Sequence, residues 1–152
     1  MRHLAVPLLL LTSCGSTSLL GNVEHSEFFT DNRPQRILKA TATELGLVQQ
    51  AAGAAGGTGG ERGEWRFGFR FVGDDAERSE LLARAKTEVE QEIRKSGMVI
   101  HARNSWGGTL DGFEYQYAGG EVYGTLFLYS ATTAEGIEVR GSHEEHRQPW
   151  LR

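Results

Sequence analysis

Trp65-Arg66-Phe67-Gly68-Phe69-Arg70-Phe71-Val72 places an aromatic ring at every second position, and Asp74-Asp75-Ala76-Glu77 follows almost at once. Alternation with period two, carried by aromatic residues, predicts a β-strand with one buried face. Asp74 and Glu77 have the spacing of a capping box, with aspartate as the cap. Beyond them Leu81 or Leu82, Ala85, Val89 and Ile93 share one helical face. Glu80–Arg84 and Glu90–Arg94 are i,i+4 pairs, and Arg94 and Lys95 suit the negative end of the helix dipole. Gly97 stops the helix, since glycine enters the left-handed conformation without a Cβ clash. A strand and an amphipathic helix in succession predict a sheet with helical cover.

On the N-terminal side, Asp31 or Asn32 can cap an earlier helix whose first turn holds Pro34. Ile37, Thr41, Leu45 and Val48 line one face, and Gly46 ends it. A short strand is expected over 47–52, then a Gly-rich loop over 53–63. That loop is no phosphate cradle, because Gly-Lys-Ser/Thr is absent and the glycines do not fit G-x-G-x-x-G. On the C-terminal side, strands are expected over 98–103, 112–117, 121–130 and 136–141. Gly119-Gly120 forms a tight hairpin, and a second turn spans 133–136. In the third of these strands Val122, Leu126 and Leu128 alternate with Tyr123, Phe127 and Tyr129, which places it centrally.

The expected order is α-β-β-α-β-β-β-β: an α+β domain with two helices on one face of a mainly antiparallel sheet. Helix, strand, Gly-rich loop and aromatic strand recur twice as a pattern, without recurrence of residues. This order resembles the α-β-β modules of small secreted inhibitors such as the β-lactamase inhibitory proteins. If the first helix lies outside the domain, the remainder resembles the β-α-β-β-β-β roll of cystatins, although their Gln-x-Val-x-Gly signature is missing. Topology carries no function with it, and neither resemblance assigns a site residue.

The first fifteen residues have a separate message. Met1-Arg2-His3 precedes an apolar run from Leu4 to Leu11, then Thr12-Ser13-Cys14-Gly15. This is the layout of a secretory signal, too short for a bilayer span of about 20 residues. Leu11-Thr12-Ser13-Cys14 resembles the lipobox of bacterial lipoproteins, which implies cleavage before Cys14 and diacylglycerol on its sulfur. Cys14 is the only cysteine, so no internal disulfide can form. The expected organisation is a signal peptide over 1–13, a tether over 14–30, one domain over 31–147 and a tail over 148–152. Phe28 and Phe29, at the end of the tether, can dock on the domain. The localisation implied is the cell envelope. Gly15 in place of aspartate after the cysteine leans toward the outer membrane or periplasmic face.

The full chain carries a net charge of −4; removal of residues 1–13 takes away one positive charge, Arg2, and leaves −5. With three lysines and no basic run, the sequence argues against nucleic acid as a partner. No nucleophile elbow is present, Cys14 being reserved for lipid, and nothing calls for a cofactor. Asp111 and Glu114 are not spaced as an acid–base pair. Enzymatic activity therefore has little support, and a non-enzymatic module that binds a protein partner in the envelope is expected. Its candidate contacts are Trp106, Asn104 and Gly107, in a Gly-rich hairpin loop where tryptophan can anchor a partner or fold back on the core. A metal-dependent or hydrolytic alternative would use His101, His143 and His146. His143 and His146 could share a metal on a helical turn, but face opposite sides on a strand. A third alternative is a small ligand held between helices and sheet. Tyr115, Tyr117, Tyr123 and Tyr129 could form an aromatic stripe, either a core face or a binding face.

Overall fold

The computed structural model of the chain describes residues 25–50 and 63–147. Helix α1 (Glu27–Thr30) and helix α2 (Arg33–Glu44) lead into β1 (Val48–Gln49). Then come β2 (Glu64–Val72), α3 (Asp75–Lys95), β3 (Val99–Trp106), β4 (Leu110–Gly119), β5 (Val122–Thr133) and β6 (Gly136–Arg147). The strands form one six-stranded antiparallel sheet in the order β1-β2-β6-β5-β4-β3. The expected α+β architecture is present, with β5 central. Leu38 of α2 is buried in the common core, so the first helix belongs to the domain and the cystatin-like roll does not apply.

Local chemistry explains the main elements. Phe67, Phe69 and Phe71 of β2 all turn inward. The Asp74–Glu77 capping box closes in both directions at 2.9 Å. Leu81, Ala85, Val89 and Ile93 form the buried face of α3, and both anticipated i,i+4 ion pairs are made. Gly97 leaves the helix at φ +77°. On β4, β5, β6 and β2 the core takes Phe113, Tyr115, Leu126, Leu128, Ile137 and Val139 together with the phenylalanines.

Several expectations need correction. The buried face of α2 is Pro34, Leu38, Thr41 and Ala42, with Ile37 and Leu45 at its margin, while Val48 lies exposed on β1. The helix packs on α3, with Leu38 in the core shared with the sheet and Lys39 over the Phe69 ring, so its buried stripe is rotated from the one that spacing alone selects. Asn32 holds the cap position in the left-handed region, but its side chain bonds Gln35 rather than the helix end. Residues 25–30 are not plain tether: Ser26 caps α1, and Phe28 and Phe29 are fully buried. The loop over 53–62, the tail 148–152, Cys14 and the signal segment lie outside the described residues.

The two largest revisions concern strand ends. β3 continues to Trp106, so this residue ends a strand instead of sitting in the loop. β6 continues through His143-Glu144-Glu145-His146 to Arg147, paired with β5 throughout and with β2 as far as Glu144. Polar residues hide this extension because two of them, His143 and Glu145, occupy inward positions normally read as apolar.

Candidate functional site: an open sheet face and a buried polar latch

Among the described residues, helices cover only one face of the sheet. Strand alternation sends Arg66, Arg70, Tyr123, Phe127, Tyr129, Glu138, Arg140 and Glu144 to the other. The register sets these residues in rows across the strands. One row runs Trp106–Gly112–Tyr129–Arg140–Gly68, and the next runs Asn104–Glu114–Phe127–Ser142–Arg66. Gly112 leaves room for the Trp106 indole, since a Cβ there would lie 2.3 Å from it. The indole stacks on Phe127 with centroids 5.0 Å apart, and Phe127 meets Tyr129 edge-on at 5.6 Å. Beside this ridge a shallow groove of about 690 Å³ is lined by Phe127, Tyr129, Arg66, Arg70 and Arg140 above a Gly68 floor.

Charge on this face is balanced. Arg66 pairs with Glu64, Arg70 with Glu135 and Arg140 with Glu138. Asn104 donates to Glu114 at 3.0 Å, and hydrogen bonds from Gln116 and Asn104 hold the Glu114 carboxyl below the usual carboxylate range. Thus Trp106 and Asn104 share the open face. Gly107 does not: it belongs to the hairpin end, where Asp111 accepts from the Gly108 N–H at 2.7 Å. Trp106 is half-buried and rests on the sheet, the folded-back arrangement, yet on the uncovered side rather than against the main core.

The four tyrosines do not form one stripe. A two-residue turn pairs Gly119 with Val122, so odd positions on β4 oppose even positions on β5. Tyr115 and Tyr117 therefore enter the core, while Tyr123 and Tyr129 face outward. Tyr117 lies over Gly124, where a Cβ would come within 2.3 Å of its ring. Tyr115 donates to Glu90 at 3.1 Å, and burial raises its pKa.

The histidines of the metal alternative are separated. His101 is exposed beside a bulge on β3, at one edge of the sheet. His143 and His146 take opposite faces of β6; His146 is exposed and packs on Tyr123 at 5.4 Å. Among the described residues no group of three or more His, Cys, Asp or Glu side chains is placed to hold a metal ion.

His143 has instead a different set of neighbours, on the helix-covered face. Its Nε2 lies 2.6 Å from the Tyr117 hydroxyl, which also lies 2.8 Å from Glu145 Oε2. Glu145 accepts from the Ser26 N–H at 2.5 Å and the Ser26 hydroxyl at 2.6 Å, and His25 Nδ1 stands 3.6 Å away. His143 and Glu145 have no exposed surface. Phe28 and Phe29 wall the imidazole at 5.1 and 4.9 Å, and Trp65 donates to the Phe29 carbonyl at 2.9 Å.

Proton counting assigns the tautomer. Tyr117 has one hydroxyl proton and two acceptor candidates. If it bonded His143, the imidazole proton would sit on Nδ1, which has no partner. A buried unpaired N–H is the costlier defect. The consistent chain runs from His143 Nε2–H to the Tyr117 oxygen, and from the Tyr117 O–H to Glu145. Burial, with a lesser contribution from His25, lowers the His143 pKa to about 3, so the ring is neutral. Burial and the Glu145 charge raise that of Tyr117. The cluster fastens the segment before α1 to β6 and β4.

A second buried charge, Arg78 of α3, also lay outside the sequence expectations. It is 2% exposed, contacts Asp75 at 2.9 Å and Asp111 at 3.1 Å, and donates to the Ser130 carbonyl. It fastens the start of α3 to the β4–β5 end of the sheet. No protein-family model, curated protein or solved structure matches this chain.

Proposed function

We propose that this chain is a lipid-anchored, non-enzymatic module of a bacterial cell envelope that binds a protein partner across the open face of its sheet. One observation carries the binding reading: an aromatic ridge, Trp106–Phe127–Tyr129, flanked by arginines, lies on a face that no described helix covers. Tryptophan, tyrosine and arginine are the residues that most often dominate protein–protein binding energy. The alternation of Arg66, Arg70 and Arg140 with glutamates suits a protein surface of mixed charge. A polyanion would meet Glu64, Glu135 and Glu138, one beside each arginine. The anchor reading rests on the signal-like residues 1–13 and on Cys14 as the single cysteine. Two acyl chains suffice for stable attachment, at about 0.8 kcal/mol per buried methylene. With the three histidines on different surfaces, the metal-dependent alternative has no geometric support.

Photo-cross-linking in intact envelopes tests the face assignment. A cross-linking residue replacing Thr125, on the open face, is expected to give one defined protein adduct. The same residue replacing Arg84, on the exposed side of α3, should give none. Equal labelling from both positions, or none from Thr125, would contradict the proposal. Palmitate incorporation that survives Cys14→Ser would contradict the anchor.

A further inference from the structure

We propose that His143, Tyr117 and Glu145 form an acid-opened latch. It holds residues 25–30 against the sheet near neutral pH and releases them on acidification, while the sheet and α3 stay folded. The latch is separate from the open binding face, being on the other side of β6.

The geometry supplies both halves of this device. The clasp is a single buried carboxylate, Glu145, that accepts from the backbone and side chain of Ser26 and from Tyr117. The sensor is His143, sealed from water by the segment it helps to hold, through Phe28 and Phe29. Its Nδ1 faces no acceptor, so a proton there has nothing to bond while the latch is closed. Three titratable groups face the cluster: Tyr117 from β4, Glu145 from β6 itself and His25 from the segment before α1. Charge on His25 further disfavours charge on His143. The other neighbours, Phe28 and Phe29 from α1, Trp65 from β2 and Leu126 from β5, carry no charge, and Glu27 and Glu144 point to solvent.

Opening is local because α1 is one turn of helix, too short to stand alone. Among the described residues its attachments are the Ser26 bonds, the His25–Glu145 contact, the Trp65 N–H bond and two phenyl rings. The rest of the fold keeps its strand ladders and the buried face of α3. In the closed form His143 stays neutral down to about pH 3. Once released, its imidazole is solvated and titrates near the ordinary value of 6.5. Above that value both forms are neutral and His143 confers no pH dependence. Between about 6.5 and 3 the open form holds one extra proton. The open-to-closed ratio therefore rises up to tenfold for each unit that the pH falls. Where the anchor reading holds, release would lengthen the tether by six residues, at most about 20 Å.

Hydrogen exchange of the full chain, corrected for the intrinsic rate at each pH, reads even a small open population. From pH 6.5 to 4.5 protection of residues 29–32 is expected to fall about 50-fold, since half of the open-form imidazole is already protonated at pH 6.5, with residues 113–117 and 126–129 unchanged. In His143→Gln that decline should vanish, because the amide can still donate to Tyr117 but does not titrate. In Ser26→Ala protection of 29–32 should drop at every pH with the slope retained. Constant protection of 29–32, equal loss in the sheet, or an undiminished slope in His143→Gln would overturn the latch. Should His143→Gln fail to fold, Ser26→Ala decides: unaltered protection of 29–32 would likewise overturn it.

Discussion

Leu126 and Phe127 are neighbours in β5 and meet opposite surroundings. Leu126 is fully buried under the helices, among the phenylalanines of β2 and the tyrosines of β4. Phe127 lies on the uncovered face, half-buried, with Trp106 stacked on one side and Tyr129 against its edge. The same contrast runs along β6, where His143 and Glu145 are sealed while Glu144 and His146 are exposed. The covered face spends its polar groups on fastening: Glu145, Tyr117 and Arg78 each bond a named partner, while His143 keeps one ring nitrogen unpaired. The open face keeps apolar area that adds little to the core. One strand can thus serve stability and recognition independently, since the pleat separates the two sets of side chains.

Mutation can break or sharpen this contrast. The largest effect is expected for Leu126→Ala, about 3 kcal/mol from lost burial and the cavity left behind. Phe127→Ala should lose only about 1 kcal/mol, mainly its stacking on Trp106; denaturant unfolding compares the two. Next is Arg78→Met, expected to destabilise by about 2 kcal/mol because Asp111 and the Ser130 carbonyl lose their partner. Asp75 and Asp111 reach water, which keeps this below the loss for a fully buried pair. The smallest change is expected for Glu80→Ala on the exposed side of α3. It removes one i,i+4 pair worth about 0.3 kcal/mol, measurable only as a slight shift in the unfolding midpoint.

Much of the covered face was legible in the sequence. The phenylalanines of β2, the Asp74–Glu77 box and the apolar stripe of α3 each carry a local rule, and local and tertiary preferences agree there. What stayed hidden has physical causes. His143 and Glu145 interrupt the apolar alternation of β6, and their partner Ser26 is 119 positions from Glu145, beyond any local pattern. The tyrosine stripe failed on parity, although the two-residue turn at Gly120-Glu121 already implies that positions 117 and 123 face opposite ways. Trp106 looked like a loop residue because Asn104 and Ser105 weaken the strand signal. Its contact with Gly112 depends on a pairing that the sequence does not state. Gly107 had no such partner, and the structure leaves it at the turn.

Phe127→Ala tests the separation of the two faces most directly when one preparation is measured twice, for unfolding free energy and for cross-linking from Thr125 in envelopes. Loss of about 1 kcal/mol of stability together with at least a tenfold loss of the partner adduct is the expected result. An adduct undiminished by the substitution, or a stability loss equal to that of Leu126→Ala, would contradict the account.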